Sequence, residues 1–137
     1  MATIRKEIQI DAPSEDVWDA LRDFGALTER LVPGFVVEAE LDGDARIIKF
    51  YDDVVVREQL VAIDEETRRL VYTTVEEPLG LAHHSASCQI FDEGESRSRF
   101  VWIVDLLPDQ FAPILSDRME QGIDVIKKTL ESATARS

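Results

Sequence analysis

After Pro108 the apolar residues of this chain change their period. From Phe35 to Leu107 they recur at every second position in short runs. Downstream, Leu115, Met119, Gly122, Ile123, Ile126 and Leu130 fall on one helical stripe, with acids, Arg118 and Lys127 opposite. Pro113 suits the first turn of that helix, where a missing N–H costs nothing. From Pro113 to Ser132 the rod is about 30 Å long at about 1.5 Å per residue, enough to cross a small sheet. Strands and rod can bury their apolar faces only against each other.

The segment before Phe35 adds one strand and two short helices. Ile4, Ile8 and Ile10 alternate with Arg5, Glu7 and Gln9, the pattern of a half-buried strand. In APSEDVWDALRDFGAL, Ser14 is placed as N-cap, Val17, Trp18, Leu21 and Phe24 take helical spacing, and Gly25 closes the helix. A second short helix covers Ala26 to Leu31, before Pro33-Gly34. Turn signals at Asp42-Gly43, Asp52-Asp53, Asp64-Glu65-Glu66, Pro78-Leu79-Gly80 and Glu93-Gly94-Glu95 then separate six strands. The expected architecture is α+β, a seven-stranded curved antiparallel sheet around a long C-terminal helix, in the order β-α-α-β6-α. With no repeat or linker, residues 1–137 are expected to form a single domain.

Charge narrows the partners. Twenty-eight acidic against 15 basic residues give a net charge of −13, which repels phosphate backbones and anionic lipid surfaces, so nucleic acid is not expected as a partner. The acids are scattered, as on a solvated surface. No apolar run approaches the roughly 18 residues of a membrane span, and the single cysteine cannot form an internal disulfide. The N-terminus alternates instead of forming an apolar signal core, so a cytoplasmic monomer or homodimer is expected.

A strongly bent sheet gripping one helix leaves space that the helix alone does not fill, and strand parity tells which side chains border it. Phe100, Trp102, Val104 and Leu106 share the inward face of the last strand. Phe35, Val37, Ala39 and Leu41 are expected inward on the second strand, and Leu70, Tyr72 and Thr74 on the fifth. For the third, a two-residue turn at Asp42-Gly43 turns Ile48 and Phe50 inward, whereas one at Asp52-Asp53 selects Ile47, Lys49 and Tyr51. Both hold only with a bulge or a longer loop, and Ile48 and Phe50 are preferred. On the fourth strand Val54, Val56, Leu60 and Ala62 share their face with Glu58. A carboxylate among such neighbours takes an internal cation, keeps its proton, or meets a ligand.

The run GLAHHSASCQIF holds both histidines and the only cysteine. On a strand, His84, Ala86, Cys88 and Ile90 share one face and His83 points the other way. Four strand residues separate His84 from Cys88 by about 13 Å, too far to share a metal, so no metal or other cofactor is expected. Cys88 reads as a small buried hydrophobe, and His83 as an exposed strand-edge residue. His84 reads either as a core imidazole or as a polar pocket contact whose pKa suits acid–base work.

The runs IQIDAPSEDVWDALRDF, REQLVAIDEETRRLVYTTVE and HSASCQIF, with the aromatic strand FVWIVDLLP before a long C-terminal helix, together resemble the polyketide cyclase/dehydrase-like branch of the START/Bet v 1 (SRPBCC) superfamily. The resemblance spans nearly the whole chain. It implies a helix-grip fold with a deep hydrophobic cavity between sheet and helix. It also implies binding of lipids, polyketides, plant hormones or similar bulky apolar molecules, with catalysis in only some members. In the related abscisic acid receptors a pocket glutamate lies in an E-x-L run, here Glu58-Gln59-Leu60. The tyrosine that usually opens the next-to-last strand is here His84, and the usual Asp-Gly of the third turn is Asp52-Asp53.

The expected function is binding of a small hydrophobic molecule, in transport or sensing. Tyr72, Phe100, Trp102, Met119, Ile123 and Ile126 would supply contact area, and Phe35, Val37, Phe50, Val56, Thr74 and Ala86 the remaining walls. Glu58 and His84 would orient polar atoms, and Gly122 would let the ligand approach the helix backbone. Two rivals stand beside it. One is a polyketide cyclase, aromatase or dehydratase with Glu58 or His84 as general base and Tyr72 as proton donor. The other is a protein-binding regulator presenting Val55, Val61 and Ile63 on the outer sheet face.

Overall fold

A computed structural model describes residues 1–136. The alternating N-terminal segment forms β1 (Ala2–Ile10), followed by α1 (Ser14–Arg22) and a single π-helical turn, Leu27–Leu31. Six strands follow: β2 (Val36–Asp42), β3 (Ala45–Phe50), β4 (Val55–Asp64), β5 (Arg69–Glu76), β6 (His83–Asp92) and β7 (Ser98–Leu107). A short 3₁₀ turn, Asp109–Phe111, leads into α2 (Ala112–Arg136). All strand pairs are antiparallel, in the order β1-β7-β6-β5-β4-β3-β2, so a meander is closed at one side by the N-terminal strand.

The helical stripe buries Met119, Gly122, Ile123, Ile126 and Leu130. Opposite it, Phe100 and Leu106 on β7 are wholly buried and Val104 nearly so. Each such large apolar side chain stabilises the fold by about 1.5–3 kcal/mol relative to exposure. α1 adds Val17, Trp18, Ala20 and Leu21 to the same core. Among the described residues no helix is long and apolar enough to cross a membrane.

Local irregularities correct three expectations. The register of β2 on β3 shifts between Val36 and Glu38, so Val36 stands opposite Phe50 and Val37 is the extra residue. Val37 therefore turns outward and is 47% exposed, while Val36 is buried at 2%. A second shift, between Leu60 and Ala62, leaves Leu60 opposite Tyr72 but sets Ile63, not Ala62, opposite Leu70. Val55, Val61 and Ile63 are all exposed, but that bulge takes Ile63 off the face of Val55. Finally, Pro13 holds the N-cap position of α1 without a side-chain cap. Ser14, the first helical residue, is buried and accepts a hydrogen bond from the Arg68 guanidinium.

The conflict over β3 is settled by a longer loop. Gly43 and Asp44 form the β2–β3 turn, with Gly43 at φ +61°, whereas residues 51–54 separate β3 from β4, with Asp53 at φ +68°. Ile48 and Phe50 accordingly face inward, at 3% and 9% exposure.

Candidate functional site

Between the concave sheet and the first turns of α2 lies a chamber of about 290 Å³. Its walls are mostly apolar and aromatic, including Phe35, Phe50, Val56, Tyr72, Trp102 and Met119. Behind it a smaller chamber of about 70 Å³ reaches Arg46, Cys88, Gly122 and Ile126. Phe35, Phe50, Glu58, Tyr72 and Trp102 border both and form the waist between them. A wider groove of about 480 Å³ crosses the outer side of β3 and β4 at Ile47, Val55 and Arg57, but it is shallow and has no aromatic wall. Of these, the internal chamber is the one shaped to strip water from an apolar ligand.

Glu58 is buried on β4 and sits directly opposite Arg46 of β3, also buried. Arg46 Nε donates to Glu58 Oε1 at 2.8 Å, and Nη1 donates to the Phe24 carbonyl at 3.1 Å. The guanidinium carbon lies 3.9 Å from the centre of the Phe24 ring and 5.2 Å from that of Tyr72. The internal cation that sequence reading left unidentified is thus Arg46. Its signal was present, because Arg46 has the same parity as Ile48 and Phe50.

His84 is placed by a defect in the sheet. Pairing of β5 with β6 ends at Tyr72 and Ala86, and beyond that point His84 itself bridges the gap. The Thr73 hydroxyl donates to the His84 carbonyl, and the Thr74 N–H donates to His84 Nδ1 at 3.0 Å. Since Nδ1 accepts, the ring proton belongs on Nε2. Burial holds the imidazole below its usual pKa, and neighbouring His83 adds to this while Glu58 and Glu77 oppose it. His84 therefore borders the chamber as a neutral ring with one N–H to give.

Tyr72 is buried and packs 6.0 Å, centre to centre, from the His84 ring. Burial raises its phenol well above the ordinary range, reinforced by the nearby Glu58 charge, so it is a hydrogen-bonding hydroxyl rather than an acid. The Trp102 indole N–H slightly favours the phenolate but reaches no acceptor in hydrogen-bonding geometry. Cys88, on the inner chamber, is pushed up to about 12 by burial and is inert as a nucleophile.

Of the residues expected at the site, Phe35, Phe50, Val56, Glu58, Tyr72, Thr74, His84, Trp102 and Met119 border the larger chamber. Phe100, Gly122 and Ile126 border only the smaller one, and Ala86 and Ile123 are packed in the core without lining either. Val37 is excluded by the β2 bulge. The space over Gly122 is already taken by the protein: an added Cβ would meet the Phe35 ring at 3.2 Å and the Trp102 ring at 3.3 Å. His83 is exposed. Among the described residues no three His, Cys, Asp or Glu side chains gather as a metal would require.

The mouth was not read from sequence, because its residues come from loops and the first turns of α2. Pro78, Leu79 and Leu81 stand on one side and Ile114, Leu115 and Arg118 on the other. The Glu77 carboxylate accepts the backbone N–H groups of Leu79, Gly80 and Leu81, at 2.6, 3.2 and 2.7 Å, and so shapes the first rim. Arg118 makes a bidentate pair with Asp52, at 3.2 and 2.6 Å, and Tyr51 donates to Gln121 at 2.9 Å, tying the β3–β4 loop to α2.

The chain matches, over residues 1–131, the family model described as polyketide cyclase / dehydrase and lipid transport. No curated protein matches it. Among solved structures, a Thermobifida fusca protein is 26% identical at a TM-score of 0.77, covering 93% of this chain and 91% of that one. A START superfamily protein from Mycobacterium smegmatis is 12% identical at 0.75, covering 98% and 97%. The Zhui aromatase/cyclase from Streptomyces sp. R1128 is 14% identical at 0.74, covering 98% and 94%. The last two share the fold alone. With its seven-stranded sheet gripping one long helix, the chain has the START/Bet v 1 helix-grip fold and belongs to the polyketide cyclase/dehydrase and lipid-transport family.

Proposed function

We propose that this protein binds a small hydrophobic molecule in the larger chamber, at one site per chain. The observation that carries this reading is an internal, largely apolar space of about 290 Å³ with four aromatic walls, Phe35, Phe50, Tyr72 and Trp102, bordered by a few polar side chains. That volume is at the lower end for small-molecule sites and equals about ten water volumes, which suits a molecule of one or two rings better than a full-length lipid. His84 supplies the orienting N–H, and the Tyr72 hydroxyl and the Glu58 carboxylate supply the other polar contacts.

Binding is favoured over cyclase or dehydratase chemistry by the state of the two expected bases. Glu58 is held by Arg46, and His84 spends its unprotonated nitrogen on the Thr74 N–H. His84 therefore has no lone pair left to take a substrate proton, and the Glu58 carboxylate is already paired with a cation through Oε1. Native mass spectrometry of protein purified from its own cells tests this reading. A retained adduct of lipophilic mass, released on denaturation, is expected; its consistent absence, together with turnover of a poly-ketone, would favour the enzyme.

A further inference from the structure

We infer that the chamber selects electrically neutral, oxygen-bearing ligands, and that Glu58 is the residue that turns carboxylates away. This rests on the binding reading above and adds a chemical class to it. Every arginine near the chamber already holds an acid. Arg46 is bound to Glu58, and Arg118 to Asp52 through two bonds. His84 is neutral, for the geometric reason that its Nδ1 accepts a backbone N–H.

The order of the charges matters as much as their sum. Glu58 borders the larger chamber, whereas Arg46 borders only the smaller one behind it. A ligand entering from the mouth meets the negative end of the pair first. A carboxylate there would lose its water, face a like charge, and find no unpaired cation, which is the costly way to bury an ion. The −13 net charge of the chain adds long-range repulsion of the same sign.

What the site does offer is an N–H group. His84 Nε2 carries its proton beside the chamber. A ketone, ether or hydroxyl oxygen satisfies such a donor without bringing a charge. Neutral ring compounds carrying one such oxygen fit the shape, the donor and the electrostatics together.

The test uses the intact protein with the neutral fluorophore N-phenyl-1-naphthylamine bound, displaced by either of two competitors of the same ring system, 2-acetonaphthone or 2-naphthoate. The ketone is expected to displace it, and the carboxylate to be weaker by about a hundredfold, as for a charge buried without its partner. Glu58→Gln, which leaves Arg46 without its carboxylate, is expected to narrow or reverse that ratio. Equal or better displacement by naphthoate from the native protein overturns the inference and leaves the binding reading intact. A ratio unchanged in folded Glu58→Gln also overturns it. If neither the fluorophore nor the ketone binds, the binding reading fails and this inference with it. Should Glu58→Gln not fold, the native ratio still decides.

Discussion

Arg46 Nε lies 2.8 Å from Glu58 Oε1, and the two residues stand directly opposite each other in the β3–β4 register. Both are buried, at 6% and 7% exposure, so each charge depends on the other for its place in the interior. Replacing Arg46 alone by Met is expected to destabilise the fold by about 3–5 kcal/mol, because Glu58 is left charged and unpaired. The double replacement Arg46→Met with Glu58→Leu is expected to recover most of that loss. Denaturant unfolding of the two variants checks this, and a double variant as unstable as the single one would show that the pair is not the source of the effect.

His84 makes stability depend on pH with a definite sign. Its folded pKa lies below the unfolded value of 6.5, so the unfolded chain takes the proton first. The stability tied to the neutral ring is present above pH 6.5 and lost as the pH falls through the folded value. Protonation also places an N–H where Nδ1 now accepts from Thr74. Asp52 and Glu65, depressed by hydrogen bonds from Arg118 and from Trp18, lose their contribution only further into acid. Thermal unfolding measured from pH 8 to pH 5 should show a decline that is absent in His84→Asn, which keeps an acceptor but does not titrate.

Cys88 should resist modification in the folded state. Burial pushes its pKa to about 12, and it is 4% exposed. A thiol reagent at pH 8 is expected to label it only after urea unfolds the chain, and fast labelling of native protein would mean that the inner chamber opens readily.

Gly122 is where stability and binding should separate. An alanine Cβ would press on the Phe35 and Trp102 rings at 3.2 and 3.3 Å, and both rings border the chamber, toward which they can yield. The better helix propensity of alanine, up to about 1 kcal/mol, offsets part of the crowding. Gly122→Ala should therefore change the unfolding midpoint little while weakening ligand affinity, which calorimetry and a binding titration measure separately.

Much of this architecture could be read from period alone. The inward set Phe100, Trp102, Val104 and Leu106 and the α2 stripe from Met119 to Leu130 follow from regular pairing and helical spacing, which local sequence specifies. A bulge has no such signature: nothing in VVEAELD marks Val37 as the extra residue, and one misplaced position inverts a face. The Arg46–Glu58 contact was half legible: parity turned Glu58 inward, whereas Arg46, which shares the parity of Ile48 and Phe50, was not identified as its partner. The role of His84 depends on β5 and β6 parting after Tyr72 and Ala86, a tertiary event that no spacing announces. The rim at Glu77 and Arg118 is set by loop conformation and ion pairing, which carry no period at all.

The central claim, that the chamber behind Val56 and Trp102 holds a ligand, is tested most directly by filling it. N-phenyl-1-naphthylamine fluorescence would be titrated with the native protein and with Val56→Trp, whose fold is checked by circular dichroism. One saturable site per native chain is expected, and its loss in the filled variant. Saturable binding that survives the tryptophan unchanged, or none in the native protein, would contradict that claim.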